Sequence, residues 1–366
     1  MKKIEDILQQ RQAVAVDCCL LTDGIADADL TRLEHADVRV PARVRIYIDH
    51  DTPSGSVAVA AKQKRLRTFS QKWQLAYEYG SGIAYHRLME GPLLAGDVVA
   101  ACGRHVATVG ASGALGIPVV GETMAGLLAG DTLDLSRFTV RRLALHGTFD
   151  VFTSAKDLAL SLLVQYDWHG VIAVLYGPQL TWAERVVVCN LMAAEAASVV
   201  FLTDIPAQLD ERVDLGALRP MAVLPGDFTR IVPATAIDGI RVNQVFIGGC
   251  AGGTIDGLRQ AAQWFKGRKV SPYVRVLVAP VTAAVYVQAL DEGLIDVFLD
   301  AGVLIMNQGC SACWAQSQGR CDSNEVFVTT GCINAVHWAG AANNGIYIES
   351  VASAAKAALT CFLYEN

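Results

Sequence analysis

The chain has 366 residues, 52% of them hydrophobic and 18% charged, which suits a core-rich globular protein of two or three domains. Its formal net charge of −6 and sequence pI near 5.7 give no electrostatic reason for nucleic-acid binding. Asn190 and Glu195 interrupt the most apolar stretch, 186–202, so no membrane span is expected, and the charged amphipathic start Met1–Leu8 has no secretory apolar core.

An N-terminal helix is followed by a strand-like run, Val44–Ile48, which ends at Asp49-His50, and by a helical pattern over 57–72. A Gly80-Ser81-Gly82 turn, a strand over 98–101 and a Gly/Ala-rich segment over 110–130 come next. Residues 133–145 read as strand, 154–165 as helix, 171–175 as strand and 181–197 as helix. Four of the eleven prolines fall within 206–233, which marks an interdomain connection. The last third reads as strand 245–247, helix 254–265, strand 274–278, helical stretches 282–290 and 294–301, strands 303–306 and 326–328, and helix 351–362. Apolar strands alternating with helical periods predict an α/β fold with parallel sheet covered on both faces. The expected division is a first α/β domain over 1–130 with the Asp-His motif, a second over 131–235, and a third over 236–366 with the cysteine loops and the C-terminal helix.

Ten cysteines without a secretory signal imply a reducing compartment, by default the cytoplasm, where thiols are buried or ligate metal. Three stand apart: Cys250 in the loop 248–253 (Gly-Gly-Cys-Ala-Gly-Gly), and the Cys310-x-x-Cys313 pair after Gln308-Gly309. Each loop follows an apolar β-type run, so the three thiols can meet at one sheet edge, where α/β proteins gather ligands. Three thiolates at one point suit an iron–sulfur cluster with one iron open, a Lewis acid facing a cleft. Cys18, Cys19, Cys102, Cys189 and Cys361 lie in apolar runs and read as small buried hydrophobes. Structural zinc on Cys310, Cys313 and two of Cys250, Cys321 and Cys332 competes, although a zinc ribbon would bring a second C-x-x-C pair. Spacing alone leaves cluster and zinc open.

Other polar residues fall at strand ends. Asp49-His50 suits acid–base work on a substrate or water. His105 beside Arg104 would have its cationic form disfavoured and serve as a neutral base or donor. His86, or its neighbour Tyr85, is a candidate general acid. Asn190 sits in an apolar helical run and needs a partner if buried. Cys332 follows a strand and reads as a buried thiol, an unusual fourth ligand or a nucleophile.

These segments resemble the aconitase superfamily, in particular its isopropylmalate isomerase large subunits. The similarity runs from Asp49 to the last helix. Asp49-His50-Asp51-Thr52-Pro53 is similar to the family's Asp-His-x-x-Pro, Gly82 to His86 to its Gly-x-x-His-Gln, and Cys189-Asn190-Leu191 to its Cys-Asn-Met. The loops at Cys250 and Cys310 carry the most specific part of the match. The resemblance implies three α/β/α domains around a central cleft and a [4Fe–4S] cluster on Cys250, Cys310 and Cys313, with Asn190 close by. It also implies removal and re-addition of water across a C–C bond of a small-molecule substrate, and a small subunit supplying a missing fourth domain.

Four positions depart from the family pattern. Gly103-Arg104-His105 stands for Asp-Ser-His, and Tyr85 falls at the family's histidine with His86 one place on. Val174 replaces a carboxylate, and 331–337 lacks the carboxylate-gripping arginine, with His337 falling in that region. The expected activity is therefore a lyase or hydro-lyase, of dehydratase or isomerase type, on a small polar metabolite, with Asp49, His50, His86 and His105 as acid–base or binding groups. Non-redox sulfur transfer or desulfurisation at the open iron, or a non-catalytic iron–sulfur interaction subunit, are the alternatives.

Overall fold

A computed structural model describes residues 4–237, 239–315, 317–335, 338, 340 and 345–363. Three sheets organise the chain. The first is fully parallel, with strands in the order Ala76–Tyr79, Val44–Ile48, Cys18–Thr22, Val98–Ala101 and Leu115–Pro118. Its central strand, Cys18–Thr22, was not anticipated. Cys-Cys-Leu-Leu-Thr has no β-branched run, and only burial between two neighbours makes it a strand.

The second sheet is also parallel, in the order Ser198–Phe201, Val171–Tyr176, Thr139–His146 and Glu211–Asp214. The strand expected over 133–145 therefore starts later, at Thr139, while Leu133 forms a lone bridge to Val14. The helix expected over 181–197 spans Trp182–Met192, opened by a Thr181/Glu184 capping box.

In the third sheet the order is Ile231–Pro233, Met221–Val223, Gly345–Ile348, Val326–Thr329, Gln244–Ile247, Arg275–Val278 and Leu304–Ile305. The five strands from Gly345–Ile348 to Leu304–Ile305 are parallel, and the first two form an antiparallel edge. The proline-bearing stretch 206–233 thus passes from one sheet to the next: Glu211–Asp214 extends the second, and the 221–233 hairpin edges the third.

The sheets pack closely. Residues 104–112 form a tight helical segment wedged between the first and second sheets. A Cβ at Gly110 would lie 1.9 Å from the Val199 carbonyl oxygen, and one at Gly116 2.1 Å from that of Val106, so both must be glycine. The helix Ile255–Phe265 starts on a Thr254 cap and buries Leu258, Ala261 and Phe265 against the third sheet. Parallel strands end on the same side. Residues 22–24, 49–51, 102–105, 248–250 and 330–334 all follow strand carboxyl ends, and they converge on one cleft between the sheets.

Candidate active site

That cleft is a cavity of about 490 Å³. Cys250, Cys310 and Cys313 line it together, as do His50, Tyr85, Arg104, His105, Cys332, Trp314 and Trp338. The two cysteine loops touch: a Cβ on Gly249, held at φ +65°, would lie 3.7 Å from Cys313 Sγ. Gly309, at φ +130°, allows the other close approach, since a Cβ there would meet the Asp49 carbonyl oxygen at 2.7 Å. The same carbonyl accepts the Cys310 backbone N–H at 3.1 Å, tying the Asp-His strand end to the cysteine pair.

Asp49 and His50 act with a third residue that the sequence did not single out, Asp23. His50 Nδ1 lies 2.6 Å from Asp49 Oδ1 and 3.2 Å from Asp23 Oδ1. Asp49 Oδ2 accepts the Ala84 N–H at 2.8 Å. Asp23 accepts the backbone N–H groups of Asp49 and His50 at 3.1 and 3.0 Å, and Gln63 Nε2 at 3.0 Å. Burial disfavours a cationic His50, but the two carboxylates outweigh it and raise the ring to about 10. Burial likewise opposes ionisation of Asp23, whose hydrogen bonds from His50 and the amides nevertheless hold it well below the usual carboxylate range. Asp49, wholly enclosed, is shifted up by burial. With Nδ1 committed to the carboxylates, the His50 ring lines the cavity and packs at a T-shaped angle against Trp314, ring centres 4.5 Å apart. Asp49, His50 and Cys310 also bring their ligand atoms within 4.8 Å of one another.

His105 lines the same cavity. Burial first, then the neighbouring Arg104 and His50 charges, lower its pKa to about 4, the direction its Arg104 neighbour implied. It is a neutral ring, with Nε2 3.3 Å from Cys332 Sγ.

His86 departs from its expected position. The ring does not line the cavity; its Nε2 meets the Cys250 carbonyl at 3.0 Å and the ring packs at a T-shaped angle against Trp182. Burial lowers its pKa to about 4, so as a neutral ring it donates to that carbonyl and anchors the cysteine loop. The helix Ala84–Glu90 turns Tyr85 inward instead, and the Tyr85 phenol lines the cavity. Val174 lies in the core below the cleft. His337 lies outside the described residues.

Asn190 is fully buried. Its Nδ2 donates to Thr108 Oγ1 at 3.1 Å and the side chain hydrogen bonds to the Cys250 thiol, while Oδ1 has no partner among the described residues. Three thiols on one cavity wall, backed by an orphaned amide oxygen, fit the donor set of an iron–sulfur cofactor. Closed tetrahedral zinc would bring no need for a 490 Å³ cavity beside it. Asp23 was missed because its strand was. Once Cys18–Thr22 is seen as a strand, Thr22-Asp23-Gly24 is a strand-end acid like Asp49.

A family model described as "Aconitase family (aconitate hydratase)" matches residues 23–208 and 226–361. The homoaconitase large subunit of Thermus thermophilus is 30% identical over 96% of this chain and 91% of its own length. The 3-isopropylmalate dehydratase large subunit 1 of Deinococcus radiodurans is 31% identical over 97% and 91%. Among solved structures, the holo-form of Thermococcus kodakaraensis aconitase X shares the fold, with a TM-score of 0.56 over 91% of this chain and 88% of that one at 13% identity. Three sheets closing on a cysteine-lined cleft with an acid-held histidine define a hydro-lyase scaffold. The chain belongs to the aconitase family, and it is a hydro-lyase of that type. No helix among the described residues is long and apolar enough to cross a membrane.

Proposed function

We propose that this chain is the large, catalytic subunit of a [4Fe–4S]-dependent dehydratase or isomerase acting on a small hydroxy acid. Cys250, Cys310 and Cys313 would hold the cluster, with Asn190 beside Cys250. When bound, the cluster supplies a Lewis-acidic iron that polarises a substrate hydroxyl. The carrying observation is the pairing of three thiols with two histidines of opposite protonation around one cavity.

His50, protonated at neutral pH, donates a proton to the departing hydroxyl, and Asp49 and Asp23 hold its ring in place and stabilise the charge. Tyr85 offers a phenol to the same region. His105, neutral, accepts a hydrogen bond or a proton across the cavity. Arg104 is the wall's guanidinium, one of its donors being spent on the Ala194 carbonyl. Phe228, Ile333, Trp314 and Trp338 make much of the remaining wall apolar. That wall favours a substrate with one carboxylate near the reacting carbons and an apolar arm. His86 serves by anchoring the Cys250 loop and not by proton transfer.

A small partner subunit completes the site and supplies the base that takes the carbon-bound proton; that its relatives are named large subunits supports it. The division into units over 1–130, 131–235 and 236–366 and a cytoplasmic setting belong to the same reading, the latter supported by ten unpaired cysteines. Anaerobic purification with any co-purifying subunit, followed by iron and sulfide counts, tests it. About four irons per chain are expected, with a visible spectrum that changes on adding a monocarboxylic hydroxy acid. Tightly bound zinc in place of iron would refute the reading.

A further inference from the structure

A fourth thiol shares the cavity wall, on the loop after strand Val326–Thr329. Cys332 is 6% exposed and lines the same cavity as Cys250, Cys310 and Cys313. Its sulfur is 3.3 Å from His105 Nε2. One side of Cys332 packs in an apolar cluster, as an inert buried cysteine does, but its sulfur meets an imidazole. Cys102 also lines the cavity, but its charged surroundings are Asp29 and Cys19, not the cysteine trio.

The backbone is shaped for this approach. A Cβ on Gly331 would lie 2.8 Å from Cys313 Sγ and 3.1 Å from Thr329 Oγ1, so the loop can close on Cys313 only without a side chain there. One residue earlier, Thr330 Oγ1 accepts the Gly248 N–H at 2.9 Å and donates to the Gly248 carbonyl at 3.0 Å. That two-way bond fixes the Cys332 loop to the loop carrying Cys250. The fourth thiol is therefore held in register with the other three by the Thr330–Gly248 bonds and the close approach of Gly331.

We propose that Cys332 is a fourth thiol ligand of the resting cofactor, capping the iron that substrate later occupies. The inference rests on the reading of Cys250, Cys310 and Cys313 as holders of a four-iron cluster. On ligation the Cys332 S–H bond breaks, its proton passes to His105 Nε2, and the sulfur lone pair forms the bond to iron; no electron is transferred. When a substrate oxygen displaces the sulfur, the thiolate recovers the proton from His105. The cap closes the one iron without a cysteine of its own while the cavity is empty, protecting it from oxidants and chelators.

The test uses the anaerobically purified holoprotein, with any co-purifying subunit, as native chain, Cys332→Ala and Cys332→Ser. Iron and sulfide are counted, and each sample is titrated with ferricyanide without substrate and followed by electron paramagnetic resonance. The native protein is expected to keep its iron and show no three-iron signal, while Cys332→Ala releases one iron and shows that signal. A three-iron signal from the native protein as readily as from the alanine variant overturns the cap and leaves the cluster reading standing. Resistance retained in both variants also overturns it. Native protein without iron overturns the cap and the cluster reading together. If a variant fails to fold, the native titration alone decides the question.

Discussion

Asp23→Ala is the sharpest test of how the site is assembled, because this residue organises the strand end that carries Asp49 and His50. Its carboxylate accepts the N–H groups of Asp49, His50 and Asp51 at 3.1, 3.0 and 3.5 Å, Gln63 Nε2 at 3.0 Å, and lies 3.2 Å from His50 Nδ1. Removing it strands at least the Asp49 and His50 amides in buried surroundings and takes one of two counter-charges from the imidazolium. At about 1–3 kcal/mol for each unsatisfied buried donor, with relief from water entering the adjoining cavity, the loss is about 3–5 kcal/mol.

The pH dependence gives this prediction a shape. Asp23 is held below its ordinary value of 3.8, so its contribution is present above that pH and is lost as pH falls through the lower folded value. His50 is raised from 6.5 to about 10, so its contribution is complete below 6.5 and declines as pH rises through about 10. The difference between native and variant is thus largest between about pH 4 and 6.5 and shrinks toward pH 10. Thermal unfolding of both proteins across pH 4–10 measures it. A difference below about 1 kcal/mol, or one independent of pH, would refute the Asp23–His50–Asp49 arrangement as the organiser of the site.

Three further outcomes are expected. Cys310→Ser loses bound iron on anaerobic purification, and unchanged iron content removes Cys310 from the ligand set. In Gly252→Ala the new Cβ would lie 2.0 Å from Thr330 Oγ1, so calorimetry should show a loss of about 1–3 kcal/mol; an unchanged melting point refutes the tight loop contact. Glu5, bonded to Arg142 at 2.7 Å and to the Tyr176 hydroxyl, ties the first helix to the second sheet. Burial opposes ionisation of Glu5, but these partners hold it below 4.5, so Glu5→Gln should cost about 1 kcal/mol at neutral pH. That cost fades as pH falls from 4.5 through the lower folded value, and a difference independent of pH would argue against the tie.

Much of the architecture was legible in the sequence by itself. Strands 44–48 and 98–101 and the helices near 57–72, 254–265 and 351–362 stand where periodicity places them, because each carries a strong apolar pattern and clear caps or turns. The glycine-flanked cysteines were legible for the same local reason: three thiols in small-residue loops after strands have few uses other than metal.

Only the tertiary structure could add strand Cys18–Thr22 and with it Asp23, whose partners lie 26 to 40 residues away along the chain. It also turned Tyr85 toward the cavity and His86 away, a choice set by the rotation of one short helix, and brought Cys332 against His105 across 227 residues. Sequence pattern reports which face of a segment is apolar. Which polar groups meet depends on how separate sheets pack, and no local pattern encodes that.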